Sequence, residues 1–448
     1  MKDKNVLIIG MARSGLAAAK VLKPLCASVT LNDSKPYEKL EGIEELNKED
    51  FIWYLGEKPD ELIDKNDLIV ISPSVPLNLP YAERANKQGK EVIAEIELAY
   101  RLCPAQTVAI TGTNGKTTTT TLTGEIFALS GRGTHVVGNI GEPYIAHSLE
   151  AKKDDVMVAE ISSYQLEGIV KFKPHAAALL NITEDHMIRH KTMENYINAK
   201  LRIFANQTKE DYSVLNYDDE TVRACASKVN GTPVFFSRKE KLSEGVFVED
   251  NNIVFAFNGK KETVCPVDKI GIKGPHNLEN ALAATALTML CGVSAEIVAK
   301  ALQDFNGVEH RIETVCTKNG VTYINDSKGT NPDSTIKAIQ TMTKPTVLLL
   351  GGYDKGGSFD SLFEEFTENI VHTVFLGATA KKLEETAKKY GWQNFTTVDG
   401  SFLDAVLVAR DKSKEGYNVL LSPACASFDM FVDFEERGRV FKDIVNKF

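Results

Sequence analysis

Short, unbroken apolar runs recur along the chain, and each stops at a loop of glycine, serine or asparagine before a helical pattern begins. Val6-Leu7-Ile8-Ile9 ends at Gly10, and residues 14–22 then place Ala and Leu at helical spacing. Residues 28–33 read as a second strand, and Leu68-Ile69-Val70-Ile71-Ser72 as a third that stops at Pro73. A run without polar alternation is a strand buried on both faces. Strand–helix–strand order in such runs builds right-handed crossovers around a parallel sheet.

Two further blocks repeat this pattern. Strands at 107–110, 156–160 and 176–181 mark the second, which closes with an Ala-rich helix at 278–290 and another at 295–305. Strands at 323–326, 346–350, 371–376 and 419–422 mark the third, which begins near Gly307. The expectation is an α/β protein of three layered units. With 52 basic against 61 acidic residues, the net charge of −9 gives no general attraction for nucleic acid or an anionic membrane. No apolar run approaches the ~18 residues of a spanning helix. The run after Met1 falls short of the roughly 7–15 apolar residues of a secretory leader, so a cytoplasmic protein is expected. Seven cysteines with no C-x-x-C pair read as reduced thiols.

The sharpest motif is Thr111-Gly112-Thr113-Asn114-Gly115-Lys116-Thr117-Thr118, set between a strand and a helix. Glycines let N–H groups turn inward around a phosphate, the helix start adds its positive end, Lys116 neutralises phosphate oxygens, and the Thr117 hydroxyl can hold Mg²⁺. The general phosphate-loop pattern wants glycine at 110, where Ile110 stands, so the loop is a tighter variant. Glu160 closes the next strand, as a Mg²⁺ ligand or a helix-capping carboxylate. His186 and His190 have the spacing of a zinc pair, but Met187 replaces the glutamate such a pair needs and no third ligand is evident. Spacing alone makes Lys200 a solvated lysine. Asn277 and Asn280 share a helix face, to read a nucleoside or simply to cap.

Asp326-Ser327-Lys328-Gly329-Thr330, Gly351-Gly352-Tyr353-Asp354-Lys355 and Ser422-Pro423-Ala424-Cys425-Ala426-Ser427-Phe428 each follow a strand of the third block. Three polar loops on one sheet edge define a ligand crevice at the strands' carboxyl ends, where Lys355 and Ser427 could hold a carboxylate. In the first block Gly10-Met11-Ala12-Arg13-Ser14-Gly15 has Ala12 where a dinucleotide fingerprint wants glycine, although Asp33 stands at the distance of a ribose-binding acid. The eroded fingerprint argues against an NAD enzyme.

Gly112-Thr-Asn-Gly-Lys-Thr-Thr118, Glu160-Ile-Ser-Ser-Tyr-Gln, Asp185-His186, His276-Asn277, His310-Arg311, Asn325-Asp-Ser-Lys328 and Leu421-Ser-Pro-Ala-Cys-Ala-Ser-Phe428 stand in the order in which the Mur ligases carry them. Over essentially its whole length the sequence resembles that family. The last segment and the short first block are most similar to the members that add D-glutamate.

The resemblance implies a Rossmann-like N-terminal domain at 1–94, a central P-loop ATPase-like domain at 95–306 and a Rossmann-like C-terminal domain at 307–448. It implies ATP-dependent joining of D-glutamate to UDP-N-acetylmuramoyl-L-alanine through an acyl phosphate, in cytoplasmic peptidoglycan precursor synthesis and so in cell-wall biogenesis, cell shape and division. It implies ATP contacts from residues 112–118, Asn277, Asn280, Arg311 and Asp326. Two Mg²⁺ sites would use Thr117, Glu160, His186 and a carbamylated Lys200. Arg13, Ser14, Asp33, Ser34, Ser72 and Asn139 match the UDP-substrate pocket, and Lys328, Thr330, Lys355, Ser427, Phe428 and Phe434 the surroundings of D-glutamate. Catalysis would fall to Lys116, His186, Lys200 and Lys328, in a monomer without nucleic-acid or membrane partners. This chain departs from the family with Arg at 13, often apolar, and Phe at 428, commonly Leu. Another amino-acid ligase of the superfamily, such as a folylpolyglutamate synthase, and a nucleotide-switched assembly module are the competing expectations.

Overall fold

A computed structural model describes every residue of the chain except Asn78 and Lys355. It forms two compact units, one of residues 1–182, 192–270 and 278–305, the other of residues 183–191, 271–277 and 306–448.

The first unit carries two sheets. β1 (Asn5–Ile9), β2 (Ser28–Asp33), β3 (Ile52–Leu55), β4 (Leu68–Ile71) and β5 (Glu91–Ala94) form a parallel sheet in the order β3-β2-β1-β4-β5. The order reverses between β1 and β4, and a crevice opens at the carboxyl ends there. Gly15 is why the Arg13–Leu22 helix can leave β1 so closely: a Cβ on it would stand 2.0 Å from Gly10 O. After β4 the chain enters a helix, Pro80–Lys87, at a proline whose missing N–H costs nothing there.

The second sheet contains β6 (Gln106–Thr111), β7 (Thr134–Gly138), β8 (Val156–Glu160), β9 (Ala176–Leu179), β10 (Tyr212–Asn216), β11 (Thr232–Ser237), β12 (Gly245–Glu249), β13 (Asn252–Phe257) and β14 (Lys260–Pro266). Its order is β14-β13-β12-β11-β10-β9-β6-β8-β7. β6 is thus flanked by β8 and β9, and the loops after all three emerge on one edge. The antiparallel extension β12–β14 was not expected from the sequence. The Lys-Lys-Glu-Thr stretch of its edge strand β14 is exposed throughout and carries no buried-run signal.

Two carboxylates bind the first sheet's last helix, Glu95–Leu102, to the second layer. Glu97 is fully buried, accepts N–H bonds from Val170, Lys171 and Phe172 at 2.8–2.9 Å and takes Arg101 Nε at 2.6 Å. Among the described residues Glu95 accepts only the Ile145 N–H, at 2.7 Å through Oε1, and its buried Oε2 has no hydrogen-bond partner.

The second unit is built on β15 (Glu313–Lys318), β16 (Val321–Asn325), β17 (Thr346–Gly351), β18 (Ile370–Leu376), β19 (Phe395–Thr397) and β20 (Asn418–Leu421), in the order β15-β16-β20-β17-β18-β19. All pairs are parallel except the edge pair β15–β16. Apolar clusters cover both faces, around Leu348, Leu350 and Phe375 on one and Val347, Leu349 and Phe441 on the other. Among the described residues no helix is long and apolar enough to cross a membrane, and all seven cysteines are free.

Burial raises the Glu95 carboxyl to about 7, only partly offset by the Ile145 amide. The folded chain therefore holds a proton that the unfolded chain releases near pH 4.5. The stability owed to this group is complete below that pH and is lost as pH rises through about 7. At about 1.36 kcal/mol per unit, the loss is about 3 kcal/mol. In urea denaturation, Glu95→Gln is expected to lose about 3 kcal/mol less than the wild-type chain between pH ~4.5 and ~8. Parallel pH profiles would refute the assignment.

Candidate active site

β6 runs into the loop at 112–115, and the Lys116–Leu129 helix starts directly from it. Gly115, the helix N-cap, has φ +80°, and a Cβ there would sit 2.3 Å from Asn280 Oδ1. Only glycine meets both conditions. The loop is clasped from outside. Asn114 N donates to Asn181 Oδ1 at 2.8 Å, Asn181 Nδ2 donates to Asn114 O at 3.0 Å, and Thr113 N donates to Asn181 O at 3.0 Å. Asn181 is the site residue that sequence reasoning passed over as a mere strand end. An Asn closing an all-apolar strand beside a glycine loop was the available signal.

Two ammonium groups gather on this loop. Lys116 Nζ donates to Gly112 O at 2.9 Å and to Thr113 O at 2.6 Å, and Lys200 Nζ donates to Gly112 O at 2.7 Å. Lys200 is 2% exposed, with its Nζ 4.5 Å from the centre of the Tyr196 ring. This corrects the expectation of a solvated lysine. The Met193–Leu201 helix turns that face inward, and the carbonyl and the ring replace water. The first-turn N–H groups of a helix start, with two lysines beside them, form an anion site suited to a polyphosphate.

Glu160 ends β8 on the same edge and is 2% exposed. Its Oε2 accepts from Thr117 Oγ1 and its Oε1 from Asn139 Nδ2, both at 2.8 Å. No basic side chain pairs with it among the described residues. The alternative role as a helix cap falls to Ser162, which forms a capping box with Gln165. A buried carboxylate beside a hydroxyl, with no cation of its own, fits a hard divalent ion. Asn280 accepts from Thr119 Oγ1 at 3.3 Å, and Thr118 is buried in the helix start.

The crevice at the β1/β4 switch point is a cavity of ≈ 780 Å³ whose lining includes Gly10, Arg13, Asp33, Ser34 and Lys35. Asp33 shapes it by accepting Met11 N at 2.7 Å and Lys35 N at 2.8 Å. Arg13 bonds Gly141 O, beside Asn139. Ser14 and Ser72 are not on the lining, and the Ser72 hydroxyl is engaged by Gly10 O at 2.6 Å.

In the second unit, His186 caps a single turn, Met187–His190, from a left-handed backbone (φ +58°) and lies 3.6 Å from Asp185 Oδ2. Asn277, in the first turn of the Pro275–Leu290 helix, donates through Nδ2 to Lys273 O at 2.8 Å. Asp326 is fully buried between the ends of β16 and β20, accepts from Ser422 Oγ at 2.7 Å and from Ile312 N at 3.2 Å, and is raised to about 6 by burial against the opposing Arg311 charge. Arg311 donates to Ser334 Oγ at 2.6 Å. Ser427 is buried, Thr330 half-buried, and Lys328 Nζ stands 4.8 Å over the Phe434 ring. Phe428 is 66% exposed, its ring 6.1 Å from that of Tyr353. Lys355 lies outside the described residues.

The fold and these edges define a multi-domain α/β enzyme of the nucleotide-using kind. Family models match along most of the chain: a Mur ligase MurD-like N-terminal domain over residues 4–94, a Mur ligase middle domain over 110–288, and a Mur ligase glutamate ligase domain over 310–425. The chain is 51% identical to the UDP-N-acetylmuramoylalanine--D-glutamate ligase of Alkaliphilus oremlandii, covering 99% of this chain and 98% of that protein. It is 46% identical to the protein of the same name in Clostridioides difficile, covering 100% and 99%. In fold it is similar to the MurC of Thermotoga maritima (TM-score 0.60, 18% identity, 99% of each chain) and to the MurF of the same organism solved with ADP (TM-score 0.60, 16% identity, 100% of this chain and 96% of that one). The chain belongs to the Mur ligase family.

Gly115→Ala is expected to cost roughly 1–3 kcal/mol of stability, the usual cost of overpacking, and to weaken ATP binding at least tenfold by displacing Asn280. Denaturation and titration calorimetry with ATP read the two effects, and unchanged affinity would refute the role given to this loop.

Proposed function

We propose that this chain joins D-glutamate to UDP-N-acetylmuramoyl-L-alanine with hydrolysis of ATP to ADP and phosphate, as a cytoplasmic step of peptidoglycan precursor synthesis. The observation that carries the reading is the glycine-bounded loop with Lys116 and Lys200 beside a buried, cation-free Glu160. The names of its full-length relatives support the choice of D-glutamate.

A carboxylate acylates poorly. In this reading an oxygen of the substrate carboxylate attacks the γ-phosphorus of ATP, the bond to the β-phosphate oxygen breaks, and an acyl phosphate and ADP result. The amine of D-glutamate then adds to the acyl carbon, and collapse of the tetrahedral adduct expels phosphate. Phosphoryl transfer of this kind is mostly positioning and charge neutralisation. The first-turn N–H groups hold the phosphates, and Lys116 exchanges its loop carbonyls for phosphate oxygens. Residues 112–118 and Asn280 frame the nucleotide, with Asn277, Arg311 and Asp326 completing its contacts. Thr117 and Glu160, with His186 and a carbamylated Lys200, would hold two Mg²⁺, which neutralise phosphate charge. Carbamylation converts a buried ammonium into an oxygen donor, the type Mg²⁺ favours.

Arg13, Ser14, Asp33, Ser34, Ser72 and Asn139 go with the UDP substrate. The ≈ 780 Å³ cavity at the eroded glycine fingerprint suits one nucleotide end better than a dinucleotide. Lys328, Thr330, Lys355, Ser427, Phe428 and Phe434 go with D-glutamate. The division into 1–94, 95–306 and 307–448 and a monomeric state belong to the same reading.

ADP release with UDP-N-acetylmuramoyl-L-alanine and D-glutamate, against L-glutamate and no amino acid, tests it. Turnover requiring both substrates and favouring the D-isomer is expected, whereas turnover without acceptor would favour a nucleotide-switched module. Lys116→Ala is expected to cut turnover by at least ~10³-fold, a loss of the size seen on removing one charge-stabilising donor, with unchanged thermal stability. Lys200→Ala is expected to be inactive and partly restored by a short-chain carboxylic acid; no restoration would remove the carbamate from the scheme.

A further inference from the structure

Arg437, on the last helix Phe434–Asn446, is 1% exposed and carries no role in the reactions above. Among the described residues no carboxylate lies within ion-pair distance of its guanidinium. Instead it meets oxygen atoms of two strand-end loops. Nε donates to Ser327 Oγ at 2.9 Å and Nη2 to Ser327 O at 2.7 Å, both in the turn after β16. Nη1 and Nη2 each donate to Cys425 O at 3.2 Å, and Nη1 to Ala426 O at 3.3 Å, in the loop after β20. A third loop closes on the same group. Tyr353 N donates to Ala426 O at 2.9 Å, and a Cβ on Gly352 would stand 2.3 Å from Ala426 O and 3.3 Å from Arg437 Nη1. Thus the loops after β16, β17 and β20, the three adjacent central strands of this sheet, meet on one buried cation.

Burying a guanidinium without a direct ion pair is costly, and apolar packing would fill the same volume more cheaply. What the planar fork adds is geometry. Five donors in a rigid planar fork fix the directions in which several carbonyls are tied, whereas the three rotatable donors of an ammonium do not. The tied residues flank the groups assigned to the amino acid. Ser327 precedes Lys328, whose Nζ lies over the Phe434 ring, and Ala426 precedes the buried Ser427. Ser327 Oγ also donates to Phe434 O at 2.8 Å, so the start of the helix is fixed to the same turn.

We propose that Arg437 is a positioning residue that sets the spacing of Lys328, Ser427 and Phe434, and thereby the fit of the incoming amino acid. This rests on the reading of the second unit's strand-end loops as the amino-acid site. Arg437→Lys is expected to raise KM for D-glutamate at least tenfold while KM for ATP and for the UDP-linked substrate changes less than twofold. Guanidinium chloride at low millimolar concentration is expected to lower the D-glutamate KM of Arg437→Ala at least threefold. Ser327→Ala, which removes the hydroxyl that accepts from Arg437 Nε and donates to Phe434 O but leaves the guanidinium and its other carbonyl bonds in place, is expected to raise the same KM alone by a smaller factor, and it serves where the Arg437 variants do not fold. A uniform fall in kcat with all KM values unchanged, or equal rises in all three, would overturn the proposal. Failure of the wild-type enzyme to use D-glutamate would instead overturn the underlying reading.

Discussion

A helix that begins directly at the end of a buried strand turns the positive end of its dipole and its first-turn N–H groups toward the sheet edge, and the first unit is arranged around that helix start. β6 can deliver such a helix only because Gly115 takes a left-handed turn with Asn280 pressed against its α-carbon. Asn181, from the strand on one side, clasps the loop. Glu160, from the strand on the other, waits with two oxygens held by Thr117 and Asn139. The parallel sheet makes this convergence automatic, since neighbouring parallel strands end on one edge. The residues share a site because of topology, although more than 60 positions separate Asn114 from Asn181.

The second unit solves a related problem differently. Its three central loops also converge at carboxyl ends, but no helix start organises them. Asp326 links the β16 and β20 ends through Ser422, and Arg437 reaches in from the last helix to bind the loop carbonyls. Neighbouring backbone is strained at His310, Ile312 and Ala424, which hold positive φ values. For the β-branched Ile312 this conformation is unusual, and the Ile312 N–H bond to Asp326 helps hold it.

The layered α/β fold was legible because its signals are local. Runs such as Val6–Ile9 and Val156–Ala159 carry no polar residue, and the glycines at 112 and 115 declare a loop. What stayed hidden depends on tertiary neighbours. Lys200 has the sequence context of an exposed helical lysine and becomes buried only because its helix packs beneath the glycine loop. Arg437 sits among Glu and Arg residues that read as a solvated face, yet the helix turns that one side chain inward. Of the strands β12–β14, only the edge strand β14 opens on exposed residues and gives no buried run, whereas Ile253-Val254-Phe255-Ala256 of β13 is a buried apolar run that the sequence reading did not use. The first-block fingerprint was read through its missing glycine, while Gly15, in direct contact with the Gly10 carbonyl, retains the packing role of the pattern's last glycine.

The claim on which the rest stands is that residues 112–118 hold the phosphates of ATP. Amide hydrogen exchange across the chain, with and without ATP, tests it directly. The account predicts marked slowing in this segment, strongest at the first-turn amides of the Lys116–Leu129 helix. Unchanged exchange there, with nucleotide-dependent slowing elsewhere in the chain, would contradict it.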